Sequence, residues 1–175
     1  SYDKFLSKAM ENLNLYKLKL LNEKEIDLGS AYISNECNEY LQIERKYLRA
    51  LNLAYDVFGD LAFIKEIGSN TSPISKQLYE VIIYYFYHIT DEQEKLLLKN
   101  SDKLVDTLYS AIDSNSKEYA TWDSQTYIEA ERGFKDSIST STGKKITILY
   151  RFNSFAKILE QSTGIKIVNA NEGNL

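Results

Sequence analysis

Cysteine, histidine and proline each occur once in this chain of 175 residues, as Cys37, His88 and Pro73, and glycine occurs only seven times. One cysteine rules out an internal disulfide, and a thiolate zinc site would need partners that the chain lacks. That usage points to a reducing, cytoplasmic setting. One histidine excludes any reaction that needs two imidazoles and any His-rich metal cluster. With so few residues that punctuate turns, the chain reads as long helices with few breaks. No run approaches the roughly 20 apolar residues of a membrane span, the longest being Val81 to Tyr87. The start, Ser1-Tyr2-Asp3, has no initiator Met and no basic or apolar leader, so an excised fragment or a tag scar is expected there.

What is present is core-forming: 43% of residues are hydrophobic, enough for one sizeable core but short of two. The expectation is an all-α fold, an irregular bundle of about six to seven helices. It is expected to occupy residues 1–164 as a single domain, with 165–175 a loosely ordered or extended tail. Asp3 to Leu21 has amphipathic spacing through Phe5, Leu6, Ala9, Met10, Leu13, Tyr16 and Leu20. From Ser30 a long segment aligns Cys37, Leu41, Leu48, Leu51, Tyr55 and Phe58 on one near-heptad stripe, stopped at Gly59-Asp60. Ser72-Pro73 reads as an N-cap with proline at the first helical position, opening a helix whose residues Leu78 to Ile89 are apolar almost all round. Thr90 and Gln93 form a capping box, and the helix they start runs to Asp113 with a break at Asn100-Ser101. Lys117 to Trp122 reads as a short helix, Ser124 caps a segment through Ile138, and Ser139 to Gly143 is a hinge. Ile146 to Leu159 is the last helix, before Gly164.

Net charge is −4, but its distribution matters more than the sum. Asp91 to Glu131 holds ten acids against four lysines, whereas Arg132 to Lys166 holds seven cations against Asp136 and Glu160. His88, ending a greasy helix, reads as structural near a helix C-terminus. The helical RNases of HEPN type are excluded, since Val81, Ile82, Ile83 and Tyr84 stand where an Arg would be needed. Cys37 reads as core, and acid pairs such as Asp56/Asp60 and Glu129/Glu131 as solvated faces, so no metal site is assigned. Ser141-Thr142-Gly143-Lys144-Lys145 lacks the earlier glycine of a phosphate-binding loop. No catalytic residue and no cofactor is assigned. The suggestive constellation is the run Ser139 to Lys145 leading into Ile146 to Phe152, with Arg132 and Lys135 upstream. Hydroxyls, helix-start N–H groups and cations suit phosphate, which makes Arg132, Lys135, Thr142, Lys144, Lys145 and Arg151 the candidate nucleic-acid or phosphate-binding residues. The competing account is a capped hinge whose cations pair with the acidic region.

Three stretches carry a resemblance. They are Phe5-Leu6-Ser7-Lys8-Ala9-Met10; Val57-Phe58-Gly59-Asp60-Leu61-Ala62-Phe63 with Ser72-Pro73-Ile74-Ser75-Lys76-Gln77-Leu78-Tyr79-Glu80; and Phe134-Lys135-Asp136-Ser137-Ile138-Ser139 leading through Thr142 to Arg151-Phe152. In that order they resemble the helical C-terminal region of the GmrSD-type restriction N-terminal, ParB-like family. The family's catalytic half carries an Asp-Gly-Gln-Gln-Arg-type signature linked to nucleotide hydrolysis, and some members add an HNH nuclease; this sequence holds no Asp-Gly dipeptide for the first, and its one histidine cannot supply the second. The resemblance implies a non-enzymatic helical accessory domain of a DNA-defence protein, partnered by a missing N-terminal half of the same polypeptide and in contact with DNA. The alternative, from another class, is a protein-interaction or homo-oligomerisation module using the Tyr79 to Tyr87 helix or the Cys37 to Phe58 stripe. No membrane partner is expected under either reading.

Overall fold

The computed structural model describes residues 35–66, 73–119 and 125–167. The Asp3 to Leu21 segment lies outside them. Seven α-helices and one 3-10 turn, with no strand among the described residues, make the architecture all-α: α1 (Asn35–Phe58), the 3-10 turn (Gly59–Leu61), α2 (Lys76–Tyr87), α3 (Asp91–Lys99), α4 (Ser101–Asp113), α5 (Gln125–Glu129), α6 (Phe134–Ser139) and α7 (Lys145–Thr163). The chain divides into two compact units, Ser1–Arg45 and Lys46–Leu175, at a point inside α1 where the sequence suggests no boundary. The second unit holds every element from the body of α1 onward.

α1 buries Ala50, Leu53, Ala54, Val57 and Phe58, and Gly59 at φ +55 ends it because a left-handed residue leaves the helix without the Cβ penalty. The chain then folds back over Gly59 to Ile64, where the Tyr109 hydroxyl sits 2.8 Å from both the Leu61 and Ile64 carbonyls and binds the turn to α4. Phe63, at φ +66, packs edge-on against Tyr79 with ring centroids 5.0 Å apart.

The start of α2 departs from the sequence expectation. Pro73 precedes the helix, and Ser75, not Ser72, is the N-cap, its hydroxyl accepting from the Leu78 N–H at 3.3 Å. The reason is a competing bond: the Ser75 N–H donates to the Phe63 carbonyl at 2.8 Å, which holds Ser75 extended until the helix can begin. From there α2 buries Leu78, Val81, Ile82, Ile83, Tyr85 and Phe86, each worth roughly 1.5–3 kcal/mol of transfer free energy. The Thr90–Gln93 capping box forms in full, and a one-residue break at Asn100 separates α3 from α4, with the Asn100 amide turned back to the Leu96 carbonyl.

Two further expectations are corrected. Of the short helix expected over Lys117 to Trp122, residues 117–119 turn instead, and 120–122 lie outside the described residues. The segment expected to run unbroken from Ser124 to Ile138 is split into α5 and α6 by a sharp reversal at Glu131, φ +60. Asn115 forces that split. It occupies φ +48 at the end of α4, its amide donates to Asp136 Oδ2 at 2.7 Å, and its Oδ1 accepts the Asp136 N–H at 3.2 Å. Asp136 Oδ2 also accepts the Gly133 N–H at 3.1 Å. Backbone approach here is so close that a Cβ on Gly133 would lie 1.9 Å from the Asn115 carbonyl oxygen. α7 closes the unit, running from Lys145 to a left-handed Gly164 at φ +77 and burying Tyr150, Phe155, Ile158 and Leu159; Ile165 beyond it is buried as well.

Candidate functional site

α2 and α7 lie side by side and run the same way. Gln77 Nε2 donates to Thr142 Oγ1 at 3.2 Å, Glu80 pairs with Arg151, and the Tyr85 hydroxyl donates to the Phe152 carbonyl at 2.9 Å, so rising numbers on one helix meet rising numbers on the other. Their N-termini therefore meet at one end, where the turn over residues 140–144 leads into α7. This is the hydroxyl-rich, cation-bearing run singled out in the sequence.

Arg151 does not sit on that surface. It is 1% exposed and holds the turn from beneath: one guanidinium nitrogen binds Glu80 Oε2 at 2.6 Å, and the other donates to the Ser137 carbonyl at 2.9 Å and, more weakly, to the Thr142 carbonyl at 3.4 Å. A planar fork suits this bridging of a carboxylate and two carbonyls. Its expected role in direct phosphate contact is thus replaced by a positioning one, because the side chain is buried and both terminal guanidinium nitrogens are engaged inside the protein. Thr142 is half-buried with its hydroxyl taken by Gln77, and Ser141 turns the chain at φ +50.

Lys135, Lys144 and Lys145 are exposed, and none of them forms an ion pair among the described residues. Arg132 lies over the Tyr127 ring, 5.9 Å from its centroid, and Tyr127 in turn stacks on Tyr150 at 4.5 Å. The acids of Asp91 to Glu131 pair elsewhere: Asp91 and Glu94 bind Arg49, at 3.1 and 2.6 Å, and Glu131 binds Lys117. The account in which the turn's cations neutralise the acidic region thus lacks a contact among the described residues.

The electrostatics of this end are unusual. A helix N-terminus carries a partial positive charge and unpaired N–H groups, which acids normally offset. Here neither α2 nor α7 has an acid in its first turn, α7 has no side-chain cap, and lysines stand at the first helical position of α2 (Lys76) and at the N-cap and first position of α7 (Lys144, Lys145). Each such lysine opposes the dipole by roughly 0.3–1 kcal/mol at low ionic strength. Like-sign charge gathered on a helix start is the arrangement that an anion relieves.

Beside the turn, burial pushes the Tyr127 phenol up to about 12, helped by the Asp136 charge. The Asn115 amide holds the Asp136 carboxyl below its usual range against some desolvation, with the Gly133 N–H adding to the effect. Among the described residues no three His, Cys, Asp or Glu side chains gather as metal ligands, and no helix is long and apolar enough to cross a membrane. The sequence reading missed Glu80 and Ser137 as partners of Arg151 and Gln77 as the partner of Thr142, since nothing in local spacing links residues as far apart as Glu80 and Arg151, 71 positions.

No family model matches this chain, and neither curated proteins nor solved structures give a significant match.

Proposed function

We infer that this chain is a helical accessory domain of a GmrSD-like DNA-defence protein, supporting a nucleotide-hydrolysing half of the same polypeptide and presenting a basic turn to nucleic acid. The observation that carries the reading is the Arg151 junction. Gln77 and Glu80 belong to the second stretch of the resemblance, and Ser137, Thr142 and Arg151 to the third; these stretches lie far apart in sequence, yet their polar residues meet in one partly buried network around Arg151. That network joins the two stretches into one helical unit, as an accessory domain built from them requires. The exposed lysines on the turn that this network holds are the surface through which the domain reaches phosphate.

The test is made on the intact polypeptide that carries this chain. It is expected to hydrolyse nucleoside triphosphates and to lower phage plating, with both effects falling when Arg151→Leu disrupts the junction. Absence of both activities in the unaltered polypeptide refutes the reading.

One observation favours the second reading, an interaction module. Leu48 and Tyr55, seven residues apart on one face of α1, are 52% and 64% exposed, an apolar pair left facing water. Light scattering of the 175-residue chain separates the two: association that Leu48→Glu abolishes supports the module, and a monomer at high concentration argues against it.

A further inference from the structure

We propose that Tyr47 and Tyr79 form an oxidative modification site, at which a haem peroxidase with hydrogen peroxide joins the two rings as dityrosine and staples α1 to α2. This goes beyond the reading above and does not depend on it.

Dityrosine forms when two phenoxyl radicals couple through the Cε carbons that flank the carbon bearing oxygen. The Tyr47 and Tyr79 hydroxyls are in direct contact at the surface, although 32 residues separate them, and both lie in the second unit. Hydroxyls in contact bring a Cε of one ring within a small rotation of a Cε of the other. In the product the two oxygens sit side by side next to the new bond, an arrangement close to the one the pair already holds. Phe63 braces the half-buried Tyr79 edge-on, with centroids 5.0 Å apart, which limits how far that ring can turn away. Tyr47 is 40% exposed and open to the oxidant.

Two other close tyrosine pairs do not meet these conditions. Tyr127 and Tyr150 stack at 4.5 Å, but both are buried and the Tyr150 hydroxyl donates to the Ser116 carbonyl. Tyr84 and Tyr85 meet edge-on at 5.2 Å, but Tyr85 is 0% exposed and its hydroxyl donates to the Phe152 carbonyl. Composition favours the chemistry as well: fourteen tyrosines stand against one Cys, one Met and one Trp, so few side chains compete for the oxidant.

The step balances. Each phenol gives one electron and one proton to the oxidant, and the two radicals couple to form one Cε–Cε bond. The Cε–H bond of each ring then breaks, its proton passes to that ring's oxygen, and both phenols are restored. Two hydrogens leave in all, and one hydrogen peroxide accepts them as it becomes two waters. The new bond closes a loop between residues 32 positions apart.

The test treats the dilute 175-residue chain with a haem peroxidase and hydrogen peroxide, then follows dityrosine fluorescence and maps linked peptides by mass spectrometry. The expected product is a monomer, lighter by two hydrogens, in which the peptide holding Tyr47 is joined to the one holding Tyr79. Loop closure should raise its Tm by roughly 5–15 °C. Tyr47→Phe and Tyr79→Phe should each abolish that link and most of the fluorescence, whereas Tyr55→Phe, at a ring 64% exposed on α1, should leave both unchanged. The proposal is overturned if no dityrosine forms, if the links map to other tyrosines, or if covalent dimers through Tyr55 predominate. A linked monomer whose Tm is unchanged overturns the staple.

Discussion

Replacing Arg151 by methionine removes one guanidinium and leaves the carboxylate of Glu80 and the Ser137 carbonyl without it. Breaking a buried pair by removing one partner costs about 3–5 kcal/mol. The Glu80 side chain is 28% exposed, so water recovers part of its loss, and the 3.4 Å bond to the Thr142 carbonyl contributes little. The destabilisation expected for Arg151→Met is therefore about 3 kcal/mol, equivalent to a Tm lower by roughly 6–12 °C for a chain of this size. Glu80→Leu should cost at least as much, because it strands a charge on a side chain that is only 1% exposed. The double variant should be more stable than the sum of the two, by about 1–2 kcal/mol, since it leaves neither charge unpaired. Urea unfolding followed by circular dichroism measures all four corners of this cycle. Losses below about 1 kcal/mol for both single variants, or a double variant that is simply additive, would refute the view that this pair locks α2 to α7.

Further perturbations probe other parts of the fold. Gly133→Ala sets a methyl 1.9 Å from the Asn115 carbonyl oxygen and must displace backbone rather than a side chain, so a loss of more than about 3 kcal/mol, or failure to fold, is expected in thermal unfolding. Asp136, held below its ordinary 3.8 in the fold, contributes stability that is fully present above the unfolded value and is lost as pH falls through the lower folded one; Asp136→Asn should flatten the acid limb of a Tm-against-pH curve below pH 4. Tyr109 is pushed up to about 12 by burial, so its contribution is full below pH 10 and fades as pH rises toward 12. Tyr109→Phe should remove that alkaline fading and cost about 1–2 kcal/mol at neutral pH through the lost bonds to Leu61 and Ile64.

Much of the fold was legible because its determinants are local. The capping box at Thr90 and Gln93, the stop at Gly59 and the left-handed Gly164 are each settled by residues within a few positions of one another, and the all-round apolar character of α2 is plain in its composition, whereas the stripe read on α1 is displaced, with Leu48 and Tyr55 exposed and Ala50, Leu53, Ala54 and Val57 buried instead. The other departures share one cause, bonds between distant residues. Ser75 caps α2 because Phe63 claims its N–H, and α5 parts from α6 because Asn115, 21 residues earlier, binds Asp136. The candidate site divides in the same way. Lys135, Lys144 and Lys145 stand on the surface as their sequence suggested, whereas Arg151 reads as one more cation of a basic run until its partner, Glu80, is seen beneath the turn.

That division, surface lysines to meet phosphate and a buried arginine to hold the turn, is tested most directly by the salt dependence of duplex binding. Log affinity measured against log salt should become less steep by about 1 for each lysine removed at positions 144 and 145. Arg151→Lys should leave the slope unchanged while lowering Tm. A slope unaltered by the lysine changes, or reduced by Arg151→Lys alone, would contradict the account.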